Sequence, residues 1–269
     1  MISPVVAPVP KVRDYLSFSA MNLYRSCPLR YRFRYLDGLP EEAVSASLVF
    51  GSAIHRSVEL HFNRLLAGEP SPSTDEMLEA YHDAWRNQLE VAQVQFCKDD
   101  DVGSLSKLAG RMLEAFRNSP AAQPTGHVIG VEEELRGEII SGVPDILGRI
   151  DLLIETDDAV IISDLKTSRS RWSRDQAEDS AEQLLLYSEL VKALIPGKRI
   201  RLRFVVLSKT KQPVVDIHDL PAEPQRVKRI LRIVERVWRA IESESFYPTP
   251  SPMQCPSCPF RDPCRVWTG

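Results

Sequence analysis

Gly148-Arg149-Ile150-Asp151, followed by Asp164-Leu165-Lys166, is the stretch that decides how this chain is read. Both short motifs sit in apolar, strand-like runs. Val160-Ile161-Ile162-Ser163 leads directly into Asp164, and side chains on a strand alternate faces with a period of two. Asp164 and Lys166 therefore share a face, with Leu165 on the other. Asp151 closes the alternation Ile146-Leu147-Gly148-Arg149-Ile150 on the strand before. Pairing of the two strands through a turn at Glu155-Thr156-Asp157-Asp158 would bring two carboxylates and an ammonium to one sheet edge. Paired carboxylates suit a hard divalent cation such as Mg²⁺. A lysine beside them can orient a water or neutralise charge developing on a phosphate. Metal-assisted phosphodiester hydrolysis is the chemistry that this set fits.

Outward from this stretch, the chain divides by period and by breakers. Ser17 or Ser19 can cap a helix running to about Tyr35, ended by Gly38 and Pro40. A second helix opens at Phe50-Gly51 and places Ile54, Val58, Phe62 and Leu65 on one face. Thr74 to about Phe96 and Ser104 to Arg117 read as two more. The linker Ser119-Pro120-Ala121-Ala122-Gln123-Pro124 precedes strand signals at Val128–Leu135, Glu138–Ile140, Asp145–Ile154 and Ala159–Leu165. A helix follows from about Asp175 to Leu194, then strands at Arg201–Leu207 and Val214–Ile217, and a basic amphipathic helix from Pro221 to Glu242. This order predicts an α/β fold, a mixed sheet with helices packed on it.

With 269 residues, 43% hydrophobic and 26% charged, the chain reads as a globular protein of one or two domains. No apolar run approaches the ~20 residues of a membrane span. Met1 to Pro10 lacks the order of a signal peptide and reads as a flexible extended arm, so a cytoplasmic protein without membrane contact is expected. The net charge of −3 does not by itself point to nucleic acid; its distribution says more. Lys166, Arg169, Arg171 and Arg174 follow the acidic motifs directly, where a phosphate backbone would lie. Two other basic groups, Arg25 to Arg34 and Arg226 to Arg239, read equally well as solvated faces. Glu132 and Glu134 could reach the site from the adjacent strand but read more readily as solvated charge, and Glu59, one turn after His55, reads as a partner that touches a ligand without being one. Asp145 competes with Asp151; the Gly148 context and closeness to Asp164 favour Asp151.

Further motifs stand around the acidic pair. Ser17-Phe18-Ser19 opens the first helix and Cys27-Pro28-Leu29-Arg30-Tyr31 follows. Gly51-Ser52-Ala53-Ile54-His55 comes next, and Gln183 and Tyr187 stand one turn apart on the helix after Lys166. Together these resemble the PD-(D/E)xK nuclease superfamily and, within it, RecB-like exonucleases, over about Ser17 to Cys264. The resemblance implies a restriction-endonuclease-like core with a mixed central sheet flanked by helices. An arm over 1–16, a helical region over 17–125, a nuclease core over 126–246 and a cysteine-rich tail over 247–269 are the expected parts. It also implies that His55, Asp151, Asp164 and the Leu165 carbonyl hold Mg²⁺ or Mn²⁺. Imidazole suits Mn²⁺ better. Lys166 would position or activate the attacking water, and Gln183 and Tyr187 would contact the DNA backbone or brace the lysine.

Cys255-Pro256-Ser257-Cys258 and Cys264, with Cys27 far upstream, make four thiolates. Their spacing suits zinc or an iron–sulfur cluster, and the one-plus-three split leans to the cluster. Nucleases of the AddB type and those of CRISPR adaptation carry this arrangement around a 4Fe-4S cluster, which the resemblance extends to Cys27, Cys255, Cys258 and Cys264. Cys97 reads as a small buried residue. The expected function is a metal-dependent DNA exonuclease of repair or recombination, acting on single strands or ends. A CRISPR-adaptation nuclease working with an integrase, or a DNA-binding subunit beside a helicase, are the alternatives. Tyr81, Trp85 and Trp172 are aromatics for base stacking or, more commonly, for a core.

Overall fold

The computed structural model describes residues 14–41, 43–97 and 100–269. Two compact units share the chain. The first contains the described residues up to 41 with Gly137–Leu147 and Leu231–Gly269; the second contains Ala43–Arg136 and Gly148–Ile230.

In chain order the elements begin with β1 (Tyr15–Ser17), α1 (Phe18–Ser26), α2 (Pro28–Tyr31) and a π-helical turn at Arg32–Leu36. β2 (Ala43–Ser45), α3 (Ala46–Leu66), α4 (Thr74–Val91), β3 (Gln93–Gln95) and α5 (Val102–Arg117) come next. β4 (His127–Gly137), β5 (Asp145–Glu155), β6 (Ala159–Ser168), α6 (Arg174–Ser180), α7 (Glu182–Leu194), β7 (Arg199–Ser208) and β8 (Val215–Pro221) follow. α8 (Pro224–Glu242) and α9 (Arg261–Arg265) complete the chain.

The sheet is mixed, as the order of elements predicts. β6 pairs antiparallel with β5, in the register Leu152↔Ser163 to Glu155↔Val160, through the expected turn. Its other edge pairs parallel with β7, Ala159↔Arg199 to Ser168↔Ser208, and β8 closes antiparallel on β7. β4 also pairs with β5. Alternate residues Ile161, Leu165, Val205 and Leu207 join α3, α4 and α5 in one core with Phe50, Ile54, Tyr81, Trp85 and Phe116. The intervening Val160, Ile162, Phe204 and Val206 are buried as well, and α7 packs on β6 and β7. A strand buried on both faces reads as a continuous apolar run, which is why Ala159 to Ile162 shows no polar alternation. Tyr81 and Trp85 are therefore core residues, and Trp172 meets Phe204 edge-on at 5.3 Å.

Several expected boundaries move, each for a local reason. The arm expected over 1–16 lies outside the described residues up to position 13, but Tyr15–Ser17 form β1, parallel to β5 in the register Tyr15↔Asp145. Ser17 does cap α1, accepting from Ala20 N at 3.2 Å. The first helix does not run unbroken to Tyr35: Cys27 leaves helical geometry and Pro28 restarts α2 at its first position. α3 starts at Ala46, ahead of the expected Phe50, because the Ser45 hydroxyl accepts from Leu48 N. Glu138–Ile140 is not a strand but the exit from β4. The helix after β6 is interrupted at Ala181 between α6 and α7. Cys97 is exposed in the connection after β3, not buried. No helix among the described residues is long and apolar enough to cross a membrane.

In the first unit, Leu29, Phe33 and Phe260 form a small core against which Cys27, Cys258, Cys264 and Trp267 pack. Leu29 N donates to the Tyr247 carbonyl at 3.0 Å and the Tyr24 hydroxyl to that of Ser245 at 2.6 Å, tying the tail to α1 and α2.

Candidate active site

The second unit carries a groove of about 1170 Å³ lined by α3, α4 and the sheet. At one place on its wall, His55, Glu132 and Asp151 bring one ligand atom each within 4.8 Å of the others. His55 comes from the middle of α3, Glu132 from β4 and Asp151 from β5.

Each is held in place. Asp151 Oδ2 accepts from Leu165 N at 2.7 Å and lies 3.5 Å from His55 Nδ1. His55 also hydrogen-bonds the Leu165 backbone. Leu165 thus ties His55 and Asp151 together through its main chain. Glu132 accepts from Arg149 Nε at 2.8 Å, and its backbone has a φ of 52°, a left-handed conformation that few non-glycine residues adopt.

Asp164 and Lys166 lie on β6 and face each other, with Nζ 2.9 Å from Oδ1 and 2.7 Å from Oδ2. Asp164 is almost wholly buried, so the ammonium is its main counter-charge, while the lysine stays one-third exposed. Asp164 therefore stands beside the His55–Glu132–Asp151 group rather than within it.

The electrostatics follow from crowding acids in a partly dry place. Burial, and then the Asp164 carboxylate, push Asp151 up to about 7. Burial followed by Asp151 raises Glu132. Burial lowers His55, more than Asp164 raises it, so the imidazole is neutral near pH 7 and has a lone pair to give. Two carboxylates and a neutral imidazole crowded together, with Arg149 on the Glu132 side, are a donor set for a divalent ion of the Mg²⁺ and Mn²⁺ class.

α7 packs on β6 and β7 beside the site. The Tyr187 hydroxyl is hydrogen-bonded with the Gln183 side chain and the Arg149 backbone, and burial pushes its pKa up to about 12. Gly148 lets the ring approach β5 closely. Gly51 does the same for α3 and β6, since a Cβ there would stand 3.2 Å from Thr167 Oγ1. The two glycines of the sequence motifs are thus places where a helix comes close to a strand.

Glu132 is the residue that sequence reasoning ranked too low, preferring solvated charge to a reach into the site. Its two neighbours differ from it, since Glu133 and Glu134 are exposed. Glu59 is bonded to Arg56 and lines the groove. Asp145 pairs in register with Tyr15 in the first unit.

A family model described as the PD-(D/E)XK nuclease superfamily matches residues 15–265. The chain belongs to the PD-(D/E)XK nuclease superfamily. No curated protein matches it significantly in sequence. Among solved structures, a "Putative exonuclease" from Eubacterium rectale is similar in fold, with a TM-score of 0.61 at 16% identity, over 94% of this chain and 87% of that one. SSO0001 aligns at a TM-score of 0.33 and 17% identity, over 90% and 93%. Rai1 of Candida albicans, solved with pU5 and Mn²⁺, aligns at 0.26 and 12%, over 83% and 68%. The superfamily places the Asp151 and Asp164–Lys166 motifs in a nuclease fold, on a mixed sheet flanked by helices.

A second cavity, of about 240 Å³, lies within the first unit and is lined by Cys27, Cys255, Cys258 and Cys264 together with Phe33 and Phe260. Burial and then the other three thiols raise the pKa of Cys264.

Proposed function

We propose that this PD-(D/E)XK nuclease is a Mg²⁺- or Mn²⁺-dependent DNA exonuclease of the RecB-like group, cutting phosphodiester bonds on single strands or at ends. The observation that carries the reading is the convergence of His55, Glu132 and Asp151 on the wall of a long groove, with the Asp164–Lys166 pair alongside. A bound divalent ion would supply Lewis acidity, drawing charge from a phosphoryl oxygen and easing deprotonation of water. His55, Asp151 and Glu132 would hold it, with the Asp164 carboxylate and the Leu165 carbonyl adjacent. The neutral imidazole presents a lone pair, Asp151 would give up its proton, and Glu132 would be drawn from Arg149. Lys166, anchored by Asp164, orients the attacking water and offsets negative charge gathering at phosphorus. Gln183 and Tyr187 keep Arg149 and β5 in place. The groove, at about 1170 Å³, has room for a nucleotide strand.

The four cysteines fit a 4Fe-4S cluster. All four line one cavity, and their one-plus-three split in the chain supports a cluster over zinc. A cluster held there would bind α1 and α2 to the C-terminal tail and supply stability rather than redox chemistry.

The reading is tested with end-labelled single-stranded DNA and Mn²⁺. Asp164→Ala and Lys166→Ala should each lower cleavage at least about a hundredfold, in the range of lost general acid–base help, while circular dichroism stays native. Cleavage unchanged in both variants contradicts the site. Anaerobically purified protein should absorb broadly near ~400 nm from a cysteine-bound cluster, and Cys258→Ser should lose that band; a colourless wild type contradicts the cluster.

A further inference from the structure

Ser47, Gly51, His55 and Glu59 follow at four-residue steps along α3, so they share a face, and all four line the groove. His55 belongs to the donor group. Ser47 stands two turns nearer the start of α3, about 12 Å away at a rise of ~1.5 Å per residue. Lys209 lines that end of the groove. Lys209 Nζ donates to Ser47 Oγ at 3.2 Å and lies 4.8 Å from the centre of the Phe50 ring. Its backbone N–H donates to the Ser168 carbonyl at 2.6 Å, fixing the loop after β7 to the end of β6, the strand of Asp164 and Lys166. Thr167 lies between, at the closest approach of α3 to β6.

The charges along the groove set Lys209 apart. Arg56 is engaged by Glu59 and Arg149 by Glu132. Lys209 makes no ion pair with a carboxylate among the described residues; a hydroxyl and a ring face hold it. Burial and the nearby Arg169 lower its pKa more than Asp100 raises it, so a further anion arriving beside it relieves an unfavourable charge. The acidic donor group at the other end repels a polyanion until a metal is bound, so a strand needs a cation elsewhere to keep it in the groove.

We propose that Lys209 is a positioning residue that holds a backbone phosphate of the substrate strand, about three to four nucleotides from the bond to be cut at ~3.4 Å per stacked nucleotide. This rests on the nuclease reading and adds to it the place where the strand is gripped. The ligand class is a phosphodiester of a stacked single strand, taken by charge and hydrogen bond without regard to base. Lys209 touches neither the cleaved phosphate nor the metal ligands; it sets where the strand lies.

The test compares wild type, Lys209→Met and Lys209→Arg on fluorescein-labelled oligothymidylate and on a thymidine dinucleotide too short to reach from His55 to Lys209. Lys209→Met should raise KM for the oligomer about tenfold with kcat within twofold, and leave the dinucleotide kinetics unchanged. The log–log salt dependence of oligomer binding should flatten by about 0.7, the value of one phosphate contact on a single strand. Lys209→Arg should restore most of the affinity. Lys209→Gln, which keeps a donor for Ser47, gives the same readout should the methionine variant fold poorly. Equal losses on both substrates, or an unchanged KM and salt slope, overturn the assignment while leaving the nuclease reading intact. Failure of wild type to cut either substrate overturns both.

Discussion

A Cβ on Gly148 would stand 2.9 Å from two ring carbons of Tyr187 and 3.0 Å from Leu190 Cδ1. The glycine that opens the Gly-x-x-Asp motif therefore seats α7 against β5, three residues before Asp151. Gly148→Ala should push the ring away and destabilise the fold by about 1–3 kcal/mol, the usual cost of overpacking. Urea unfolding checks this: the midpoint should fall, with activity reduced beyond what stability explains because Asp151 moves with the strand. A wild-type midpoint would contradict the packing.

Glu132 is predicted to matter for metal affinity and not only for Arg149. Glu132→Gln keeps the shape and removes the charge. It should weaken Mn²⁺ binding by about 10- to 100-fold, the scale on which metal-site partners act. Titration of activity against Mn²⁺ checks it; an unchanged half-maximal concentration would leave Glu132 as a salt-bridge partner alone.

Acid sensitivity follows from Asp151. Its folded value, about 7, lies above its ordinary 3.8. The protonated form favours the folded state, so this contribution to stability is complete below pH 3.8 and is lost as pH rises through about 7 when no metal is bound. Metal-free wild type should therefore lose about 2–4 kcal/mol relative to Asp151→Asn between acid and pH 8. Adding Mn²⁺ at pH 8 should raise the melting temperature of wild type and not of the variant. Because metal must displace the proton, activity should also fall below about pH 7, and more Mn²⁺ should shift that limb to lower pH. Parallel melting curves for the two proteins at all pH values would contradict the argument.

What could be read from the sequence was what local spacing encodes. The continuous apolar run Val160 to Ser163 marked a strand, whose alternation of faces placed Asp164 and Lys166 together, and the turn at Glu155–Asp158 paired β5 with β6. The helix periodicity of α3 put His55 on the groove face because Ile54, Val58 and Phe62 occupy the core face. What escaped depends on long-range contact or on backbone conformation. β1 is three residues long and exists through parallel pairing with Asp145–Leu147, more than a hundred residues away. Glu132 turns into the site through a positive φ, which a run of three glutamates does not reveal. Cys97 looked like a core residue by type, yet it is exposed in the connection after β3. Lys209 follows a buried strand and gains its meaning only where its loop meets Ser47 and Phe50.

The measurement that bears most directly on the account is Mn²⁺-dependent cleavage of end-labelled single-stranded DNA by wild type and Lys166→Ala, side by side on denaturing gels. Stepwise shortening from one end by wild type, with at least about a hundredfold slower shortening by the variant, is the predicted result. Equal cleavage by both proteins, or none by wild type at any Mn²⁺ concentration, would contradict it.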